Sequence, residues 1–323
     1  MSLRVDVLAA LRQAGERGVS GELLARELGV SRVAIGKHVK ALRADGYQID
    51  AEPGSGYVLR SAPDGPIPAE IAVRLQSTLW SRLEGGGETG STNDDARALA
   101  RSGAFEGTVV LASAQTAGRG RLGREWVSPA GGAYFSAVLR PDVAPFDVSA
   151  LSLVVALGIA RGLERVGVVA RLKWPNDVLL GDRKLAGVLL EMAAEADAVE
   201  WVVAGVGLNV KRPDGPATHA RAAYLSDCVE GLGVAMAVAT VLDGIAETYG
   251  EWAATGFAAL RGEFDARSSV VGQEVTVSDR DGGVRASGMV CGVDDDGRLL
   301  VAGESGVSAV SAGEVTLRVP RQG

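Results

Sequence analysis

Three prolines fall within six residues, Pro63, Pro66 and Pro68, in the stretch SAPDGPIPAE at 61–70. Each restrains its own φ and lacks a backbone donor, so the stretch reads as a semi-rigid linker between units that fold separately. The 323 residues leave room for two or three domains with cores of their own. The expected division is a first unit over 1–62, the linker over 63–69, a central unit over 70–267 and a last unit over 268–323.

The first unit reads as a winged helix-turn-helix. Residues 3 to 13 have helical periodicity, and in SGELLARELG Ser20 can cap a helix that Gly29 closes. In VSRVAIGKHVKALRADGY, Ser31 can cap the next helix and Gly46 can end it in a left-handed conformation. Ile35, Val39 and Leu42 line one face of it; Arg32, Gly36, Lys40 and Arg43 line another, with Lys37 beside them. YQIDAEPGSGYVLR then reads as two short strands around Pro53-Gly54-Ser55-Gly56, a wing. A helix with one buried stripe and one basic stripe suits the major groove of DNA. Ser31, Arg32, Lys37, Lys40 and Arg43 are the candidate contacts. A three-helix domain used for protein contact is the alternative. Charge favours DNA weakly: residues 1–62 hold nine Lys/Arg and seven Asp/Glu, about +2, in a chain of net charge −7.

Composition removes several function classes. Charges at Arg4, Asp6 and Arg12 argue against a signal peptide, and no uncharged apolar run is long enough to span a membrane. A cytoplasmic protein is expected. Cys228 and Cys291 are the only cysteines, which leaves no disulfide framework and no thiolate metal cluster. The two histidines, His38 and His219, leave little for Ser-His catalysis or a multi-histidine metal site, and no metal ligands are assigned. Chemistry must rest on Lys, Arg, Asp and backbone groups.

The central unit mixes helices and strands in an α+β pattern without regular βαβ alternation. STNDDARALARSG reads as a helix with two overlapping capping boxes, Ser91 with Asp94 and Thr92 with Asp95. TVVLAS is a strand running into SAQTAGRGRLGREW, where Arg119, Arg121 and Arg124 alternate with Gly118, Gly120 and Gly123. AYFSAVLRP is a strand and ALSLVVALGIARGLERVG an apolar helix. ARLKWPNDVLLGDRKLAGVLLEM reads as three strands joined by turns, and EWVVAGVGLNV as a further strand containing Gly205 and Gly207. The last unit is all β: QEVTVSD, VRASGMVCGV, RLLVAG, GVSAV and GEVTLRV suit a small barrel. DDDG at 294–297 lacks the remaining ligands of a calcium loop, with Arg298 next, and reads as a turn.

A glycine-arginine segment can lie in a DNA groove, cradle a phosphate or be a solvated hinge. Here it is accompanied by Lys173 before WPND, Lys184 before LAG, and glycines inside a strand, where a ligand or another backbone can approach closely. Arginines among glycines can wrap a multiply charged oxyanion, because backbone N–H groups can join in. Activation of a carboxylate by ATP needs such a site. Two anions must be brought together, and positioning and positive charge do the work without a protein nucleophile.

Taken in order, GSTNDDA, SAQTAGRGRLGREW, LKWPNDVLL, RKLAGVLLE and GVGLNV resemble the motifs of biotin–protein ligases. With the helix-turn-helix in front, the whole chain resembles the bifunctional biotin–protein ligase / biotin operon repressor (BirA-type) family. The resemblance implies a winged helix, a biotin/lipoate-ligase-like α+β catalytic domain and a small SH3-like β barrel. It implies that biotin and ATP give biotinyl-5′-AMP, from which biotin passes to one lysine of a biotin carboxyl carrier domain, as in acetyl-CoA carboxylase. Ser91, Thr92 and Gln115, with Asn93 and Trp126 nearby, would bind biotin. Gly118, Arg119, Gly120 and Arg121 would cover the biotinyl phosphate, with the two arginines as cations. Lys184 would contact the carboxylate and the α-phosphate, with Gly187 three residues on. Gly205 and Gly207 would let biotin lie against their strand, and Asn209 would stand near the nucleotide. Asp177 is the candidate to accept the incoming lysine's proton, unless it only pairs with Lys173. Magnesium is expected with ATP. Operator DNA and a homodimer formed when adenylate is bound are the further partners implied; no membrane is. The loop KRPDGPATHARAAYLSD at 211–227 matches the family's adenine-covering segment loosely; Tyr224 is one candidate to stack there, and no contact is assigned.

A lipoate ligase resembles the same core, but lipoate's apolar ring would leave the polar Ser91/Thr92/Gln115 group unpaired. A regulator that binds biotin without catalysis is the other rival, and the presence of both Lys184 and Asp177 speaks against it.

Overall fold

The computed structural model describes residues 3–195, 198–214 and 221–317. The first unit is α1 (Leu3–Ala14), α2 (Gly21–Glu27), α3 (Arg32–Ala44) and an antiparallel pair, β1 (Gln48–Glu52) with β2 (Gly56–Ser61). Ser20 and Ser31 cap α2 and α3, their hydroxyls accepting the N–H groups of Leu23 at 3.0 Å and Ala34 at 3.1 Å. Gly46 ends α3 at φ 95°, a conformation that costs a side-chain-bearing residue about 1–2 kcal/mol. Ile35, Val39 and Leu42 are buried against Val7, Leu8, Leu11 and Leu24.

The linker is docked along its length. Its end forms α4 (Pro68–Ala72), whose Ala69 belongs to the winged-helix core while Ile71 belongs to the core of the central unit. Glu70, 1% exposed, takes ion pairs from Arg12 on α1 and from Arg74. Asp64 pairs with Lys211, and its Oδ1 accepts the N–H of Val234 at 2.7 Å. Proline stiffness explains why these residues form no long element. The tertiary contacts explain why they hold one path between two units that share a helix.

The central sheet uses β3 (Arg82–Gly85), β5 (Thr108–Ala112), β7 (Ala133–Leu139), β8 (Arg171–Lys173), β9 (Asp177–Leu180), β10 (Arg183–Glu195) and β11 (Ala198–Leu208). Their order is β3-β5-β7-β11-β10-β9-β8, and only β3 and β5 run parallel. Two short parallel strands, β4 (Glu88–Thr89) and β6 (Ala114–Gln115), stand apart from it. Alternation along the strands splits their side chains between the two faces. Val110, Val138 and Val203 pack with Ala96 and Ala100 of α5 (Thr92–Arg101). Val109, Ala137, Val202 and Ala204 instead join the large core formed with α6 (Leu151–Glu164), α7 (Val234–Thr255) and α8 (Ala258–Arg267). Helices α6 and α7 touch backbone to backbone: a Cβ on Gly244 would lie 2.2 Å from the Gly158 carbonyl oxygen.

The last unit is one antiparallel sheet of β12 (Glu274–Ser278), β13 (Val284–Val293), β14 (Leu299–Gly303), β15 (Gly306–Val310) and β16 (Glu314–Leu317), in the order β15-β14-β13-β12-β16. The DDDG segment is a turn in which Asp294 Oδ1 accepts the N–H groups of Asp296 and Arg298. The Gly297 carbonyl accepts the indole N–H of Trp174 at 3.0 Å, which seats this unit against the WPND turn. Among the described residues no helix is long and apolar enough to cross a membrane.

Candidate active site and nucleic-acid interface

The N-terminus of α5, the glycine-arginine loop, the WPND turn, β10 and β11 surround one cleft of about 1290 Å³, its open mouth included. Gly313, Glu314 and Val315 of the last unit form part of its wall. At the α5 end, the expected capping boxes do not form. Ser91 is the N-cap without a side-chain cap bond, and Asp95 accepts the Thr89 hydroxyl at 2.6 Å. The Thr92 N–H and hydroxyl both go to Gln115 Oε1, at 2.8 and 3.1 Å. Gln115 Nε2 donates to Ser128 Oγ at 2.9 Å, and the Ser136 hydroxyl lies 2.6 Å from Asn93 Oδ1. The helix-start N–H of Thr92 is thus satisfied by a site residue, which ties the helix N-terminus to the pocket wall. The buried Asn209 Oδ1 and Trp126 Nε1 have no hydrogen-bond partner among the described residues.

The glycines act through these side chains. A Cβ on Gly205 would lie 1.9 Å from Asn93 Oδ1, and one on Gly207 2.3 Å from the Trp126 indole. One on Gly187 would meet the same indole at 2.9 Å. The space kept free on these strands holds Asn93 and Trp126, and both Gly205 and Gly207 also line the cleft. Gly118 differs again: a Cβ there would meet the Trp126 carbonyl at 2.4 Å, and Gly118 does not line the cleft. Gly207→Ala is expected to force the indole out and cost about 1–3 kcal/mol by overpacking. Urea unfolding measures this; an unchanged midpoint would show that the ring relaxes without strain.

The cations differ in their partners. Lys184 Nζ sits 2.6 Å from Asp177 Oδ1 and 5.0 Å from the Trp126 ring centroid. Asp177 therefore pairs with Lys184, although Lys173 faces it across the β8–β9 register. Arg119 binds Asp94 and Glu191, and Arg124 binds Glu314, whose carboxyl that guanidinium holds below the usual range. Arg121 has no carboxylate in ion-pair range among the described residues; its one bond is a long one, 3.5 Å, to Asn176 Oδ1. Burial pulls its pKa below the ordinary guanidinium value, partly opposed by Asp177. Tyr224 is 1% exposed, with the Arg212 guanidinium 4.8 Å from its ring centroid. Residues 215–220 of the same loop lie outside the described residues.

On α3, Arg32, Lys37 and Lys40 are exposed. Ser31 spends its acceptor on the helix cap. Arg43 is turned to the wing: its Nε and Nη2 both donate to the Ile49 carbonyl, at 2.8 and 2.5 Å. The wing offers no free cation of its own, since Arg60 is paired with Asp50 and Glu52.

Comparison with known proteins follows the same three units. Residues 4–58 match an HTH domain, 89–209 the Biotin/lipoate A/B protein ligase family, and 270–318 the biotin protein ligase C-terminal domain. The chain is 31% identical over 323 residues to the bifunctional ligase/repressor BirA of Bacillus subtilis, covering 98% of this chain and 99% of that protein. The chain belongs to the bifunctional biotin–protein ligase/repressor family. It is also 39% identical over 236 residues to the biotin–[acetyl-CoA-carboxylase] ligase of Paracoccus denitrificans, covering 70% of this chain and 97% of that one. A biotin protein ligase from Aquifex aeolicus, solved in complex with biotin and ATP, shares the fold at a TM-score of 0.64 and 30% identity. That match covers 74% of this chain and 99% of that chain.

The family motifs of this chain converge. Ser91, Thr92, Asn93, Gln115, Arg119, Gly120, Arg121, Trp126, Asp177, Lys184, Gly187, Gly205, Gly207 and Asn209 all line the one cleft, and Gly118 does not. Sequence reasoning passed over Ser128, Ser136, Glu191 and Glu314. Glu191 stands at the end of the quoted RKLAGVLLE and could have been found there. Glu314 carries no local signal, because its partner Arg124 is 190 residues away.

Proposed function

We propose that this member of the biotin–protein ligase/repressor family activates biotin with ATP to biotinyl-5′-AMP and transfers biotin to a carrier-domain lysine. The observation that carries the reading is Arg121. A part-buried guanidinium without a counter-carboxylate, in a cleft whose Arg119, Arg124 and Lys184 are paired, is a preorganised place for a phosphate. Lys173 lines the same cleft. The orphaned Asn209 Oδ1 and Trp126 Nε1 are a buried acceptor and donor to which a ligand can bond.

In the first step a biotin carboxylate oxygen attacks the α-phosphorus and pyrophosphate leaves. Lys184 stabilises the charge that gathers there. In the second, the carrier lysine's amine attacks the acyl carbon, the bond to AMP breaks and the amine proton leaves; Asp177 is the proposed acceptor. Thr92 and Gln115 are bonded to each other, so the Ser91 hydroxyl and the second Gln115 N–H are the groups left for biotin's ureido ring. Magnesium arrives with ATP and is held mostly through the phosphates. The described residues contain no group of three or more His, Cys, Asp or Glu able to cage it. A mass spectrum of a biotin carboxyl carrier domain incubated with the protein, ATP and biotin tests the reading. An unmodified carrier beside normal pyrophosphate release would restrict it to adenylation, and absence of both would overturn it.

Arg121→Ala is expected to release biotinyl-AMP into solution and raise labelling of a bystander such as serum albumin by about tenfold or more. Labelling equal to wild type would remove Arg121 from phosphate binding.

The winged helix serves as a biotin-responsive repressor domain on operator DNA, and the proposal extends to a cytoplasmic homodimer favoured by bound adenylate. One winged helix with few free cations binds DNA poorly, and two half-sites on one operator remedy that. A promoter gel shift with no ligand, with biotin plus ATP, and with unbiotinylated carrier added should show the complex in the second condition only. Identical shifts in all three would uncouple DNA binding from the cleft.

A further inference from the structure

Three arginines stand in the glycine-rich loop, and their partners divide them. Arg121 faces the cleft, Arg124 is tied to Glu314, and Arg119 turns to α5 and β10. Arg119 Nη2 donates to Asp94 Oδ1 at 2.8 Å and lies 3.2 Å from Glu191 Oε2. Arg97 binds the same two carboxylates, and Asn93 Nδ2 donates to Glu191 Oε2 at 2.8 Å. Two carboxylates face two guanidinia, so the cluster is neutral. Asp94 sits on the turn of α5 that carries Ser91, Thr92 and Asn93, and Glu191 is held by Asn93; the cluster is built on the pocket wall itself.

The loop needs such fastening. Leu122 has φ 59°, a conformation side-chain-bearing residues rarely adopt, and the neighbouring glycines gain much freedom if released. The loop's own backbone closure, Gly120 N–H to the Arg124 carbonyl at 2.7 Å, folds it into a small hairpin but does not attach it to the cleft.

We propose that Asp94 and Glu191 are positioning residues: they dock Arg119, hold the 118–124 loop over the cleft and so keep Arg121 aimed at the adenylate phosphate. This deepens the biotinyl-AMP reading and rests on it. Arg119 then acts as a staple. Its shared Nη2 is already committed to two carboxylates, and the phosphate cation is Arg121.

Trypsin cuts after arginine, so cleavage between 119 and 124 in the folded protein reports opening of the loop. The double variant Asp94→Asn/Glu191→Gln is expected to raise that cleavage rate about tenfold, equivalent to about 1.4 kcal/mol in the opening equilibrium. Dissociation of biotinyl-AMP should quicken by a similar factor, while pyrophosphate release at saturating biotin and ATP changes less than about threefold. Asp94→Glu, which keeps the charge, should restore retention when placed with Glu191. If the double variant fails to fold, Arg119→Met cuts the same tie from the loop side and leaves the sites at Arg121 and Arg124 for trypsin. Wild-type cleavage in the folded variant would overturn the proposal. So would faster cleavage with unchanged adenylate dissociation, because the cluster would then serve the fold alone. A chain that makes no adenylate would end the ligase reading and leave the cleavage comparison to decide whether Asp94 and Glu191 hold the loop.

Discussion

Lys184→Met is expected to slow adenylate formation by about a hundredfold or more, the usual scale for one preorganised electrostatic contact with a transition state. Methionine keeps the length and the packing on Trp126, whose ring lies 5.0 Å from the ammonium. What it removes is the charge, and with it the counter-ion of Asp177, 2.6 Å away. The variant therefore leaves a carboxylate uncompensated in a cleft meant for anions, and the ATP phosphates meet repulsion where they met a cation. Pyrophosphate release at saturating biotin and ATP reads the effect. Asp177 is only 23% exposed, so its unpaired carboxylate also costs stability, and a urea unfolding curve of the variant separates that loss from the loss of chemistry. Near-normal pyrophosphate release would remove Lys184 from the chemistry.

The triple variant Arg32→Ala/Lys37→Ala/Lys40→Ala is expected to weaken promoter binding by about a hundredfold or more at about 150 mM salt, with a shallower salt dependence. These are exposed cations of α3 that no carboxylate neutralises among the described residues, and unlike Arg43 they are not bonded to the wing. The wing cannot replace them, since Arg60 is held by Asp50 and Glu52. Arg43→Ala should behave differently. Its guanidinium joins α3 to the wing through the Ile49 carbonyl, so its loss should cost about 1–2 kcal/mol of stability, with a smaller loss of DNA affinity. A fluorescence-anisotropy titration of promoter DNA, run at three salt concentrations, separates the two. If the triple variant bound like wild type, α3 would not be the reading helix.

Much of the fold was legible because its signals are local. Ser20 and Ser31 cap helices whose N–H groups are three residues away. The Ile35/Val39/Leu42 stripe and the five strands of the last unit follow from side-chain periodicity within one element. Helix α7 was not legible in the same way. Its 22 residues are buried on most sides, so it shows no clean apolar stripe, and its seat on α6 depends on Gly158 and Gly244 meeting across the core. The Thr92/Asp95 capping box of STNDDA failed for the converse reason. The local pattern was present, but Gln115, 23 residues on, competed for the Thr92 N–H and won.

The residue types of the cleft, their order and the family they resemble were carried by the amino-acid sequence alone, since motifs are short and each needs its residues at fixed spacing. Which cation is paired and which is free was not. Arg119, Arg121 and Arg124 are alike in sequence, three arginines among glycines. They become an anchor to Asp94 and Glu191, an unpaired cation facing the cleft, and a tie to Glu314 only because folding brings carboxylates from α5, β10 and β16 to two of them. An ion pair acts over a few ångströms of space and is indifferent to distance along the chain. The division of labour among identical side chains therefore belongs to the packed structure.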